Sequence, residues 1–350
     1  MPSPPANTAP DANLVWGARA LWQQLVPLLP GLSVEVLRSS PSTNSALLER
    51  ARVLPEDRRD AAEAAEAGGA GDGGDVLVRR SVESAAFGRR AADLQPCLLI
   101  AEHQSAGRGR QGRTWKSAPG ASLTFSLGLP LALDDWSGLS LAVGVALCDA
   151  LDALDAPDAP AAPDLLRPPH PPAARAIKPA GAPRLGLKWP NDLWLVDAGG
   201  SAGTGTGTGR KLGGILIETE AAGTQRLAII GIGLNVLPFA AADTQTGFAT
   251  LRELDPEATA PAALARIALP LVQALKCFER DGFSAFAAGF AARDLLFGRE
   301  VRTTRPDVPQ GVARGVSAQG ALLVETPGGS TLAVASGEVS VRLDEPAPAA

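Results

Sequence analysis

Residues 107–113, Gly-Arg-Gly-Arg-Gln-Gly-Arg, hold three arginines and three glycines, and Thr114 and Trp115 follow directly. Glycine lets a backbone close on a ligand, and guanidinium forks match carboxylate or phosphate oxygens two at a time. The run is not a Walker loop, because no Gly-Lys-Ser/Thr triplet closes it. A solvated basic turn and an RGG-like nucleic-acid segment are the plainer readings. They fit poorly in a chain whose 32 Lys and Arg stand against 37 Asp and Glu, a net charge of −5.

Two further constellations lie downstream. Lys188-Trp189-Pro190-Asn191-Asp192 sets a lysine at the end of a predicted strand, where a fixed cation can face a reacting oxyanion. Asn191 and Asp192 add hydrogen-bonding and metal-capable oxygens, although Pro-Asn-Asp also makes an ordinary turn. Residues 211–218 and 231–236 place Gly213, Gly214, Gly231, Gly233 and Asn235 in otherwise apolar strands. Glycine weakens a strand unless a ligand or a second backbone must come close. Asn235 taken alone reads more simply as a core amide with satisfied partners.

The elements that must position these residues can be drawn from periodicity and punctuation. A helix capped by Asp11 runs to Leu25, and a short strand covers 33–37. Ser42-Thr43-Asn44 then opens a helix through Val53. Strands follow at 97–101 and 123–129, joined by the loop 102–117, and a helix carries Leu139, Val143, Leu147, Leu151 and Leu154. After 185–189 and 193–196, the runs 212–218 and 226–236 read as paired buried strands, with helices near 262–280 and 283–296. Five short alternating runs from Glu300 to Leu343 suggest a small separate β-barrel. Three segments read as insertions outside the packed fold: one without large apolar residues, one a polyproline-like surface excursion and one a flexible glycine-rich loop. They are 56–74, the stretch 156–183 with nine of the thirty prolines, and 198–209 with six glycines in twelve residues.

Composition removes other chemistries. Three scattered cysteines, Cys97, Cys148 and Cys277, argue for a reducing compartment and against a disulfide framework or zinc finger. Two histidines and no tyrosine leave little material for histidine-based schemes, and His103 reads as a strand-end residue. The start, Met-Pro-Ser-Pro-Pro, lacks a signal-peptide pattern, and no stretch reads as a membrane span, so a cytoplasmic protein is expected.

Ser42-Thr43-Asn44, Gln104 with 107–115, 188–192, 211–218 and 231–236 occur in the order found in biotin protein ligases, and together the chain resembles that family. The resemblance implies an α/β (α+β) fold with a central mixed β-sheet and flanking helices, related to class II aminoacyl-tRNA synthetases. It also implies a small C-terminal SH3-like β-barrel, dividing the chain into a catalytic domain over 1–296 and a second domain over 297–345. It implies activation of biotin by ATP with Mg²⁺ to biotinyl-5′-adenylate, then transfer to a lysine of a biotin carboxyl carrier protein such as that of acetyl-CoA carboxylase. By position, Ser42, Thr43, Asn44 and Gln104 match the biotin contacts, and Arg108, Gly109 and Arg110 match the loop that closes over biotin and adenylate. Lys188 matches the lysine on the biotin carboxylate, and Asn235 falls in the strand on the nucleotide side. The catalytic group is thus Lys188, Arg108 and Arg110, with no dedicated protein metal site. Only 41 residues precede Ser42, so a DNA-binding repressor domain is not expected, and neither DNA nor membrane is an expected partner. The resemblance admits a homodimer. A lipoate-protein ligase is the second enzymatic reading, and a non-catalytic biotin sensor the reading from another class.

Overall fold

A computed structural model describes residues 14–52, 94–152, 183–197, 209–222, 225–239, 247–335 and 341–343. Helix α1 (Ala18–Leu25) follows Gly17, whose φ of 61° turns the chain into it. The expected cap Asp11 lies outside the described residues, as do Val53, Leu154 and nearly all of the three low-complexity segments. Strand β1 (Ser33–Leu37) leads to α2 (Thr43–Arg52), and β2 (Cys97–Ala101) is buried along its whole length.

The loop expected over 102–117 is not featureless. It carries a small hairpin of β3 (Gly107–Arg108) and β4 (Thr114–Trp115), pairing Gly107 with Trp115 and Arg108 with Thr114. The turn holds Gln111 at φ 56° and Gly112 at φ 70°, so two consecutive left-handed residues fold the arginines back on themselves.

Strand β5 (Ser122–Leu131) is followed by α3 (Leu139–Asp152), then β6 (Arg184–Lys188), β7 (Asp192–Val196), β8 (Gly209–Ala222) and β9 (Gln225–Asn235). These strands form a seven-stranded mixed sheet ordered β1-β2-β5-β9-β8-β7-β6, in which β1–β2 is parallel and every other pair antiparallel. Helix α4 (Ala260–Asp281) starts at Thr259, whose hydroxyl accepts from Ala262 N–H. It is apolar enough by composition to cross a membrane, yet its apolar residues are spent on the core against α3 and α1. Leu47, Leu48, Leu99 and Ile229 make a second apolar cluster under α2 on the site side of the sheet.

The helix expected over 283–296 is shorter. A 3₁₀ turn (Gly282–Phe286) leads into α5 (Ala287–Ala291), and the helix ends there. Tertiary contacts win over helical periodicity there. Arg293 buries its guanidinium between Asp149 and Asp152 at 2.7 and 2.8 Å, and its carbonyl accepts from Leu187 N–H. Next to it Asp294 is buried; one carboxylate oxygen accepts from Leu296 N–H, and the other has no partner among the described residues. Burial pushes this acid up to about 6, while backbone hydrogen bonds from Leu296 and Phe297 oppose the rise. A carboxyl raised on folding binds more protons folded than unfolded, so its contribution is fully present below the unfolded value and lost as pH rises through 6. Asp294→Asn should therefore abolish a loss of stability between about pH 4 and 6, worth on the order of 3 kcal/mol. Urea unfolding of both proteins across that range checks it; parallel pH profiles would contradict it.

Beyond Asp294, β10 (Glu300–Thr303), β11 (Gln310–Val316), β12 (Leu322–Glu325), β13 (Thr331–Val334) and β14 (Val341–Leu343) form an antiparallel sheet ordered β13-β12-β11-β10-β14. Among the described residues no pairing joins β13 to β14; the five-stranded antiparallel order is compatible with the expected small barrel.

Candidate active site

The sheet sets the site through alternation. Gly231, Gly233 and Asn235 share one face of β9 because side chains alternate along a strand. A side chain on Gly231 would lie 2.2 Å from Asn44 Oδ1, and one on Gly233 would lie 2.4 Å from the Trp115 ring. The two glycines thus let the start of α2 and the Arg/Gly hairpin settle directly onto the sheet. Between them opens a cleft of about 960 Å³ including its mouth.

One part of the cleft is neutral and rich in hydrogen bonds. Gln104 Oε1 accepts from Thr43 N–H at 2.7 Å and lies 3.2 Å from the Thr43 hydroxyl. Ser126 Oγ lies 2.6 Å from both Thr43 Oγ1 and Asn44 Oδ1, and Asn44 donates its amide to Glu218 at 2.9 Å and to Leu216 O at 3.2 Å. Ser42, Thr43, Asn44, Gln104 and Ser126 are all buried, so this network fixes which lone pairs and protons remain for a ligand.

The other part is cationic. Arg108, Arg110, Arg113, Lys188 and Lys211 line the cleft against one lining carboxylate, Asp192, in a chain of net charge −5. Lys211 Nζ pairs with Asp192 at 2.7 Å. Lys188 ends β6 half-buried, its ammonium 5.2 Å from the centre of the Trp194 ring. Arg108 forks onto Glu218 at 2.8 and 3.3 Å and reaches Ser45 Oγ at 3.3 Å. Burial pulls the Arg110 guanidinium below its ordinary value, opposed by Asp192 and reinforced by Arg113. A cation partly stripped of water binds an incoming anion more strongly than one on an open surface.

Ser42, Thr43, Asn44, Gln104, Arg108, Gly109, Arg110 and Lys188 all line this cleft. Asn235 does not. Its amide donates to Lys211 O at 3.3 Å and Ala249 O at 3.2 Å, fastening the 247–250 segment to β8. The structure thus gives the Asn235 amide an architectural task at the β8–β9 end of the sheet. His103 also stays outside the lining, its carbonyl accepting from Ser40 N–H.

Sequence reasoning missed Ser126 and Glu218. Ser126 had a signal: Ser122, Thr124, Ser126 and Gly128 alternate with Leu123, Phe125, Leu127 and Leu129, one face small and polar, the other apolar. Glu218 had none of its own, because its role comes from pairing with residues 174 and 110 positions away. All three cysteines are buried thiols outside any disulfide, and burial raises the Cys148 thiol to about 12.

With this geometry in place, comparison with known proteins is informative. The model of the biotin/lipoate A/B protein ligase family matches residues 91–235, and that of the biotin protein ligase C-terminal domain matches 296–342. A biotin–[acetyl-CoA-carboxylase] ligase of Mycobacterium tuberculosis is 33% identical over 284 residues, covering 76% of this chain and 87% of that protein. The bifunctional ligase/repressor BirA of Salmonella typhimurium is 31% identical over 235 residues, 65% of this chain, which spans only 62% of that relative. In fold, the chain resembles a biotin protein ligase from Aquifex aeolicus solved with biotin and ATP, at TM-score 0.56 and 22% identity over 89% of this chain and 99% of that one. On its sequence matches, this chain belongs to the biotin protein ligase family.

Proposed function

We propose that this chain joins biotin to ATP, giving biotinyl-5′-adenylate and pyrophosphate, and then transfers the biotinyl group to a lysine of a biotin carboxyl carrier protein, releasing AMP. The observation that carries the reading is one cleft with two characters: a buried neutral network at Thr43, Gln104 and Ser126, and a five-cation lining beyond it. A ureido ring is neutral and needs donors and acceptors held in fixed directions. A carboxylate approaching a triphosphate needs positive charge, because two anions must meet and more charge develops on the phosphoryl oxygens.

Within that reading, Lys188 holds the biotin carboxylate and Arg108 and Arg110 face the phosphates. The β3–β4 hairpin, seated on Gly233 through Trp115, walls the mixed anhydride off from water. Among the described residues no three His, Cys, Asp or Glu side chains form a cluster fit for a metal. In this reading Mg²⁺ would arrive on the phosphates of ATP, where it would offset their charge. We assign 1–296 as the catalytic domain and 297–345 as the accessory one, working in the reducing cytoplasm, where cysteines outside disulfides persist.

ATP–pyrophosphate exchange with Mg²⁺ tests this, run with biotin, with lipoate and with no acid. Exchange that depends on biotin is the expected result. Exchange with lipoate alone would keep the chemistry and overturn the substrate, and a folded protein exchanging with neither would turn the reading to a biotin sensor.

A further inference from the structure

We propose that the turn between β11 and β12 in the C-terminal sheet is a positioning element for Lys188, acting through the Trp189 indole and the Gly320 carbonyl. The proposal deepens the function above and rests on Lys188 as the cation at the biotin carboxylate. Both neighbours of Lys188 are fastened to chain belonging to the C-terminal sheet or leading into it. On one side, Leu187 donates its N–H to Arg293 O at 2.8 Å and accepts from Leu295 N–H at 3.0 Å. On the other, Trp189, 1% exposed, donates its indole N–H to Gly320 O at 3.0 Å. Pro190 O then accepts from the Ser140 hydroxyl at 2.9 Å.

The turn is built to present that carbonyl. Ser317 donates its N–H to Ala321 O at 2.8 Å, and its hydroxyl accepts from the N–H groups of Gln319 and Ala321 at 3.2 Å. Gly320 sits at φ +80°, and a side chain there would lie 2.7 Å from Gly138 Cα and 3.2 Å from Leu141. The turn is therefore pressed against the start of α3, with the Gly320 carbonyl spent on the residue after Lys188. A buried indole N–H stripped of its acceptor shifts to find another, and the backbone of Lys188 shifts with it. Displacements near an ångström at a reacting group are costly in enzymes. A plain structural glue between the two sheets would affect stability with no preference among ligands.

Calorimetric titration separates the two. The full chain, Trp189→Phe and Gly320→Ala are titrated with biotin and with its primary alcohol analogue, which lacks the carboxylate. Both variants should bind biotin roughly three- to tenfold more weakly, the size of one hydrogen bond, and the alcohol within about twofold of the parent. Placed in a Lys188→Ala background, Trp189→Phe should no longer alter biotin affinity. Equal weakening of both ligands, an effect that persists without Lys188, or unchanged biotin binding would each overturn the brace. Ser317→Ala, which loosens the turn without touching Trp189, carries the same comparison if either variant fails to fold. A parent chain that binds neither ligand would overturn the functional reading itself, a different failure from that of the brace.

Discussion

Lys188→Ala should slow biotin-dependent pyrophosphate exchange by roughly 10²–10³-fold, about 3–4 kcal/mol of transition-state stabilisation, comparable to removing one oxyanion donor. The size follows from the surroundings. Lys188 stands opposite Asp192 in the β6–β7 ladder, and Lys211 holds the Asp192 carboxylate at 2.7 Å, so three charges meet at this end of the cleft. The half-buried position at a strand end keeps the ammonium in a medium less polar than water, where charge pairs count for more. The fold should barely notice. Ala removes, among other contacts, the stem and the approach to the Trp194 ring, the latter worth under about 1 kcal/mol at a partly exposed site. Exchange rates and thermal midpoints together check this. Near-wild-type exchange removes Lys188 from the mechanism, whereas a collapse in midpoint matching the lost activity makes it a folding residue.

How much of this could be read from the residues varies with the range of the interactions involved. Strand β1 and the β8–β9 pair were legible because burial patterns repeat within the element itself. The Arg/Gly run was legible as a ligand-facing loop, but not as a hairpin, since its closure depends on Gln111 and Gly112 entering left-handed conformations. The helix over 283–296 was overdrawn because Arg293 and Asp294 answer to distant partners on α3 and β6. The partners of the Asn235 amide show the same limit, since it donates to two carbonyls, one of them Ala249, that its strand context does not indicate. The contact of Trp189 with Gly320 spans 131 positions, and no local pattern encodes it.

The glycine at the bottom of the neutral network yields the second large effect. Gly231→Ala should destabilise the protein by about 1–3 kcal/mol and weaken biotin binding at least tenfold. An added Cβ would stand 2.2 Å from Asn44 Oδ1 and 2.9 Å from its Cγ, so one of the two must move. Asn44 has nowhere to go. Its oxygen is held by Ser126 at 2.6 Å, its nitrogen by Glu218 and Leu216 O, and the residue is buried at the first turn of α2. Gly231 in turn is locked in the centre of the sheet, opposite Ser126 on β5 and Leu216 on β8. Overpacking at such a point costs on the order of 1–3 kcal/mol, and the relief available is to lift the α2 N-terminus, which carries Thr43 away from Gln104. Denaturant midpoints and biotin titrations measure both effects. The decisive comparison is Asn44→Ala with and without Gly231→Ala: once the amide is gone the added methyl has room, so its stability cost should largely vanish. If the cost is the same in both backgrounds, the methyl is clashing elsewhere, and Gly231 does not serve to seat Asn44 on the sheet.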